Sequence, residues 1–227
     1  MMIDKEETTL ISVKGLTKSF KKQVVIDNLT ASFNKGERIS LSGSNGAGKT
    51  TLIRCILGQY THGGSLSVLG GDPRIQHEVI MKEIGFVPQI PPPLKMTIKE
   101  MLNFFSQLTG NSQSVFIDLV SSLGLDIMGH LNKPFFKLSG GMKQKLLIAF
   151  ALGRNPKILL LDEPSANLDP EARKVFFDKL DNFNKNSLMI LSSHRISEIS
   201  KLITREVEMD LGKIVTDKII TQNNRAV

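Results

Sequence analysis

Several things are scarce in this sequence, and each scarcity narrows what the chain can be. Cysteine occurs once, as Cys55, which excludes an internal disulfide framework and a cysteine-rich zinc site. Together with the absence of a secretory leader, the lone cysteine sets the expectation of a cytoplasmic protein. No apolar run approaches the roughly 20 residues needed to span a bilayer, so a role at a membrane would need separate membrane subunits. Tryptophan is absent, which is unusual but excludes nothing. Internal repeats, heptads and low-complexity tracts are also missing.

What is present suits one domain with an internal subdivision. The chain has 227 residues, 41% of them apolar, enough for a true core. Its formal charge is +7, from 29 Lys and Arg against 22 Asp and Glu. A basic surface suits phosphate ligands, nucleic acid or an anionic membrane face. The basic residues are scattered and form no compact tract, so no nucleic-acid partner is expected.

The first part of the chain reads as strands: ISVKGLTKSF, VVIDNLTASF and ERISLSG, the last feeding a glycine loop and then a helix over about 49–57. SLSVLGG and IGFVPQ read as further short strands, with Gln89 closing the second. At Pro91, Pro92 and Pro93 the pattern changes, because proline fits neither helix interiors nor central strands. Thr97 and Glu100 then fit a capping box, with Ile98, Met101, Leu102, Phe105 and Leu108 on one helical face. A second helix is predicted over about 112–123, and residues 90–153 read as mostly helical. KILLLD is a buried strand, DPEARKVFFDKL a helix capped by Asp169 with Pro170 at its first position, and SLMILSS another strand. Strands alternating with helices on either side of a helical insertion predict an α/β fold with a mainly parallel sheet.

The chemistry begins at Gly43-Ser44-Asn45-Gly46-Ala47-Gly48-Lys49-Thr50, which fits G-x-x-x-x-G-K-[ST] after a strand and before a helix. Glycines let successive backbone N–H groups turn inward around phosphate oxygens, and the helix adds its positive end. Lys49 is expected to reach the β- and γ-phosphates and the Thr50 hydroxyl to bind Mg²⁺. The apolar strand 158–161 runs into Asp162 and Glu163. Asp162 is the expected Mg²⁺ ligand, and Glu163 the residue that orients or deprotonates an attacking water. Gln89, where the sheet meets the helical insertion, is placed to touch Mg²⁺ and the water while moving with the insertion. His194 alone among the histidines directly follows an apolar strand, LMILSS, and is expected near the γ-phosphate. Phe20 is a candidate to stack on adenine.

A second glycine turn, KLSGGMKQK at 137–145, looks like a phosphate loop that the chain does not need. Ser139 is a plausible N-cap there, with Met142, Leu146, Ala149 and Phe150 forming an inward helical face. A capped helix start alone would explain the turn.

Taken together, Phe20, GSNGAGKT, Gln89, LSGGMKQK, ILLLDEP, SANLD and His194, in that order, resemble the ATP-binding-cassette (ABC) ATPases, and the resemblance covers essentially the whole chain. It implies a P-loop NTPase (RecA-like) core over about 1–89 and 154–227. An N-terminal antiparallel β subdomain and a helical signature subdomain over about 90–153 would accompany that core. It implies ATP and Mg²⁺ bound in cis by Phe20, the loop from Gly43 to Thr51, Gln89, Asp162, Glu163 and His194. Ser139, Gly140 and Gly141 would contact the γ-phosphate held by a second copy in a head-to-tail homodimer, with Asp169 linking the two sites. Membrane permease subunits would dock near Gln89–Phe105, placing the protein on the inner face of the cell membrane. The GGMK run and SSHRISEIS resemble bacterial exporter ATPases more than importers. A soluble ABC ATPase of an assembly system, such as those serving iron–sulfur scaffolds, is the alternative.

Overall fold

The computed structural model describes residues 8–193 and 199–220. Two sheets organise it. In the first, all antiparallel, β1 (Thr9–Phe20) lies between β2 (Gln23–Asn34) and β4 (Gly63–Val68). The second has six strands in the order β5 (Ile84–Val87), β6 (Ile158–Asp162), β7 (Leu188–Ser192), β3 (Arg38–Ser42), β8 (Arg205–Asp210) and β9 (Lys213–Ile219). From β5 to β8 all neighbours are parallel, and β9 returns antiparallel along β8.

Every residue of β3, β6 and β7 is buried, as strands covered on both faces must be. The pleat then divides one apolar run between two cores. Ile158 and Leu160 join a cluster with the first sheet and α1 (Lys49–Ile56), while Leu159 and Leu161 join another with α5 (Gly140–Gly153) and α6 (Pro170–Asp181). Full burial of each such side chain contributes about 1.5–3 kcal/mol, so a charge at any of the four would break a layer. The rigid β6 strand also aims its last residue, Asp162, at the end of the sheet where α1 begins.

A third cluster lies among α3 (Ile98–Thr109), α4 (Gln113–Ser122) and α5, around Phe116, Phe135 and Phe150. The α3 start has the capping box read from the sequence. Glu100 N–H donates to Thr97 Oγ1 at 3.2 Å, and Thr97 N–H donates to Glu100 Oε2 at 2.7 Å. α5 belongs to two clusters: Ile148, Ala151 and Leu152 face the sheet, while Leu146, Ala149 and Phe150 face α3 and α4. It is therefore a shared girder, with the glycine turn at its exposed end.

Some sequence expectations shift. Leu108 is 38% exposed and leaves the inward face of α3, which Ile98, Met101 and Leu102 form. β5 stops at Val87 because Pro88 has no N–H to continue the ladder, so Gln89 lies in the loop beyond the strand. α2 (His77–Lys82), β8 and β9 were not anticipated. Among the described residues, no helix is long and apolar enough to cross a membrane.

Candidate active site

The chain leaves β3 at Ser42, turns through residues 43–48 and enters α1 at Lys49. Gly43, Gly46 and Gly48 all have positive φ, at 134°, 86° and 106°. A methyl group on Gly43 would stand 2.1 Å from the Met209 carbonyl oxygen, and one on Gly48 2.9 Å from that of Val25. Gly43 and Gly48 are thus required twice, by backbone conformation and by the strands packed behind the loop. The β8–β9 turn braces it further: Gly212 N–H donates to the Ala47 carbonyl at 3.1 Å, and the Gly212 carbonyl accepts from Asp27 N–H at 3.1 Å. Lys49 Nζ folds over the loop, donating to the carbonyls of Gly43 and Ser44 at 2.6 and 3.0 Å.

One open cavity of about 190 Å³ gathers Asn45 to Thr51 of this loop with Val25, Gln89, Asp162 and Glu163. Four separate stretches of chain meet there. Pockets for whole drug-sized ligands run to roughly 300–1,000 Å³, so this one is sized for the phosphate end of a nucleotide. Asp162 is buried, and its Oδ1 accepts from Ser192 Oγ at 2.7 Å. That pairing follows from register, since Asp162 and Ser192 lie opposite each other on β6 and β7. Glu163 has left-handed backbone, φ 47°, and its N–H is held by Ser192 Oγ at 3.1 Å and the Ser192 carbonyl at 3.2 Å. The chain thus leaves the strand through a fixed, strained residue that lines the cavity.

Thr50, Gln89 and Asp162 supply a hydroxyl, an amide oxygen and a carboxylate to one space, all hard oxygen ligands that suit Mg²⁺. Among the described residues, no group of three or more His, Cys, Asp or Glu side chains could hold a metal by itself.

The second glycine turn lies apart from this cavity: neither Ser139, Gly140 and Gly141 nor Asp169 lines it. Ser139 Oγ accepts from Met142 N–H at 3.3 Å and so caps α5. Gly140 is exposed, and a methyl group there would meet nothing within 4 Å among the described residues. Two bonds tie the start of α5 to the turn after β6. Fully buried Gln144 donates Nε2 to the Pro164 carbonyl at 2.8 Å, and Lys145 pairs with Asp169 at 2.8 Å. Asp169 also caps α6, accepting from Ala172 N–H at 2.8 Å. The Lys145 bond first, and the Ala172 N–H second, hold its carboxyl below the ordinary aspartate range.

Phe20 does not line the cavity; its ring packs against Tyr60. His194 lies outside the described residues. Ser192, Val25 and the Gly212 brace were missed by sequence reasoning. Only the strand-end serine of LMILSS, facing a strand-end acid, carried any signal.

The profile of the family described as "ABC transporter" matches residues 26–166. The Nod factor export ATP-binding protein I of Rhizobium meliloti (strain 1021) is 33% identical over 217 residues, covering 92% of this chain and 64% of that protein. The same-named protein of Rhizobium leguminosarum bv. viciae is 31% identical, covering 91% of this chain and 68% of that one. This chain therefore spans about two thirds of the length of these relatives. A solved structure described as the ATP binding subunit of an ABC transporter superposes with a TM-score of 0.83 at 26% identity, covering 96% of this chain and 92% of that one. A bacterial Atm1-family ABC exporter with ATP bound shares the fold, with a TM-score of 0.81 at 22% identity over 93% of this chain and 39% of that one.

Proposed function

The chain belongs to the ABC transporter family, and on that premise we propose that it is an ATP-hydrolysing, nucleotide-binding subunit powering a membrane transporter, with export the favoured direction. One observation carries the reading: the P-loop, Gln89, Asp162 and Glu163 converge on a single phosphate-sized cavity. Backbone N–H groups of residues 43–50 cradle the β- and γ-phosphates, and Lys49 exchanges its carbonyl partners for phosphate oxygens. Thr50, Gln89 and Asp162 hold Mg²⁺, which when bound neutralises the charge on those oxygens.

Glu163 accepts a proton from a water whose oxygen bonds to the γ-phosphorus. The bond to the bridging oxygen breaks, and ADP and inorganic phosphate leave. Ser192 prepares that step by fixing the Glu163 backbone and the Asp162 carboxylate together. His194, from its place after LMILSS, is assigned to the γ-phosphate. Phe20 takes the base.

The complete site needs a second copy. Ser139, Gly140 and Gly141 meet the γ-phosphate bound by a partner arranged head to tail, and Asp169 lies at the seam. ATP closes the pair and hydrolysis releases it. Gln89 carries the motion to permease subunits docked along Gln89–Phe105 on the inner face of the membrane. Exposed Ile90 and Phe104, at 80% and 50%, suit that contact. The favoured direction rests on the relatives described as export proteins.

The Glu163→Gln chain tests the reading. It should bind ATP, form a dimer and hydrolyse ATP about 10²–10⁴-fold more slowly. Turnover at the parent rate would refute the assignment of the base.

A further inference from the structure

The residue assigned to the base does not stand alone. Phe20 ends β1 and pairs across the hairpin with Gln23. That position lies two residues along β2 from Val25, which lines the phosphate cavity. At about 3.4 Å per strand residue, the two are separated by roughly one sugar, as a base is from its phosphates. Phe20 is 40% exposed, so something must keep its ring from swinging at the tip of a two-stranded ribbon.

Tyr60, in the loop after α1, meets the Phe20 ring edge to face, with centroids 5.1 Å apart and planes at 82°. Lys18 Nζ lies 4.8 Å from the centre of the Phe20 ring and 5.3 Å from that of Tyr60, and it donates to Thr61 Oγ1 at 3.4 Å. Arg54, on the helix that Lys49 starts, donates Nη1 to the Tyr60 hydroxyl at 3.1 Å. None of the residues making these contacts lines the phosphate cavity. All of them fix the plane of one exposed aromatic ring, with a cation over it.

We propose that Tyr60 and Lys18 are positioning residues for Phe20, making Lys18, Phe20 and Tyr60 one base-binding platform. It rests on the reading of Phe20 as the base contact. Tyr60 is the chain's single tyrosine and there is no tryptophan, so the protein's tyrosine emission reports this platform alone.

The test titrates the full chain, in Mg²⁺, with ATP and with tripolyphosphate, reading heat and tyrosine emission. ATP should change the emission, whereas tripolyphosphate should bind without changing it. Tyr60→Leu should weaken ATP about three- to ten-fold, the worth of one aromatic pair, and leave tripolyphosphate affinity unaltered. Tyr60→Phe, which keeps the ring, should restore ATP affinity. Equal weakening of both ligands, or of neither, in Tyr60→Leu would overturn the positioning role. The two readings fail separately. If Phe20→Leu costs no ATP affinity relative to tripolyphosphate, the base contact itself is wrong. If Phe20→Leu costs it and Tyr60→Leu does not, only the platform is wrong.

Discussion

The molecule has two glycine turns that open helices, and they differ in what makes them glycine. At the P-loop, Gly43 and Gly48 are demanded from within: positive φ, and carbonyl oxygens 2.1 and 2.9 Å from any added methyl group. At the start of α5, a methyl group on Gly140 would meet nothing within 4 Å among the described residues, although one on Gly141 would stand 3.1 Å from the Asn167 carbonyl oxygen. The P-loop also faces Asp162, Glu163 and Gln89 across a cavity, whereas the second turn has no such wall. An exposed, sterically unconstrained glycine at a helix start leaves room for a partner to approach. Under the proposed function, the two turns would be the two halves of one site, acting on different copies.

Alanine scanning of the glycines sharpens that contrast. Gly43→Ala should have the largest effect, because backbone atoms of β8 must move; a loss of about 4 kcal/mol or more is expected in urea unfolding, with nucleotide binding lost as well. Gly140→Ala should leave urea unfolding within about 0.5 kcal/mol of the parent, since alanine suits a helix better than glycine. In a Glu163→Gln background it should still weaken ATP-driven pairing at least about ten-fold, read by sedimentation. If Gly140→Ala paired normally, its glycine would be incidental and the contrast would collapse.

The smallest effect concerns the strut between the second turn and the sheet. The Lys145 pairing and the Ala172 N–H depress the Asp169 carboxyl, so its stabilising contribution is present above the unfolded value of about 3.9 and lost as pH falls through the lower folded value. Asp169→Asn retains a capping side chain but not the charge. Its urea midpoint should lie slightly below the parent's at pH 7, and the gap should close in acid. A gap independent of pH would mean that the charge pair contributes nothing.

Much of this was legible in the sequence, for identifiable reasons. The P-loop, Asp162 and Glu163 are local patterns whose spacing dictates their geometry, and Asp169 and Thr97 cap helices where the sequence put them. What escaped depends on register or on distant packing. Ser192 supports Asp162 only because β6 and β7 are neighbours. Gly212 braces Ala47 from 165 residues away. Tyr60 meets Phe20 only when α1 folds against the first hairpin. α2 is six residues with a single buried side chain, Ile80, too little for a helical period to register. β8 buries only Val207 and Met209 among charged neighbours.

The central claim is that Ser139 and its glycines serve a nucleotide held by another copy. Sedimentation of Glu163→Gln against Glu163→Gln/Ser139→Arg, each saturated with ATP and Mg²⁺, tests it most directly. Both chains should bind ATP through their own P-loops, the first forming a dimer and the second staying a monomer with weaker apparent ATP affinity, because it lacks the reciprocal coupling to pairing. A double variant that dimerises as readily as Glu163→Gln alone would contradict it.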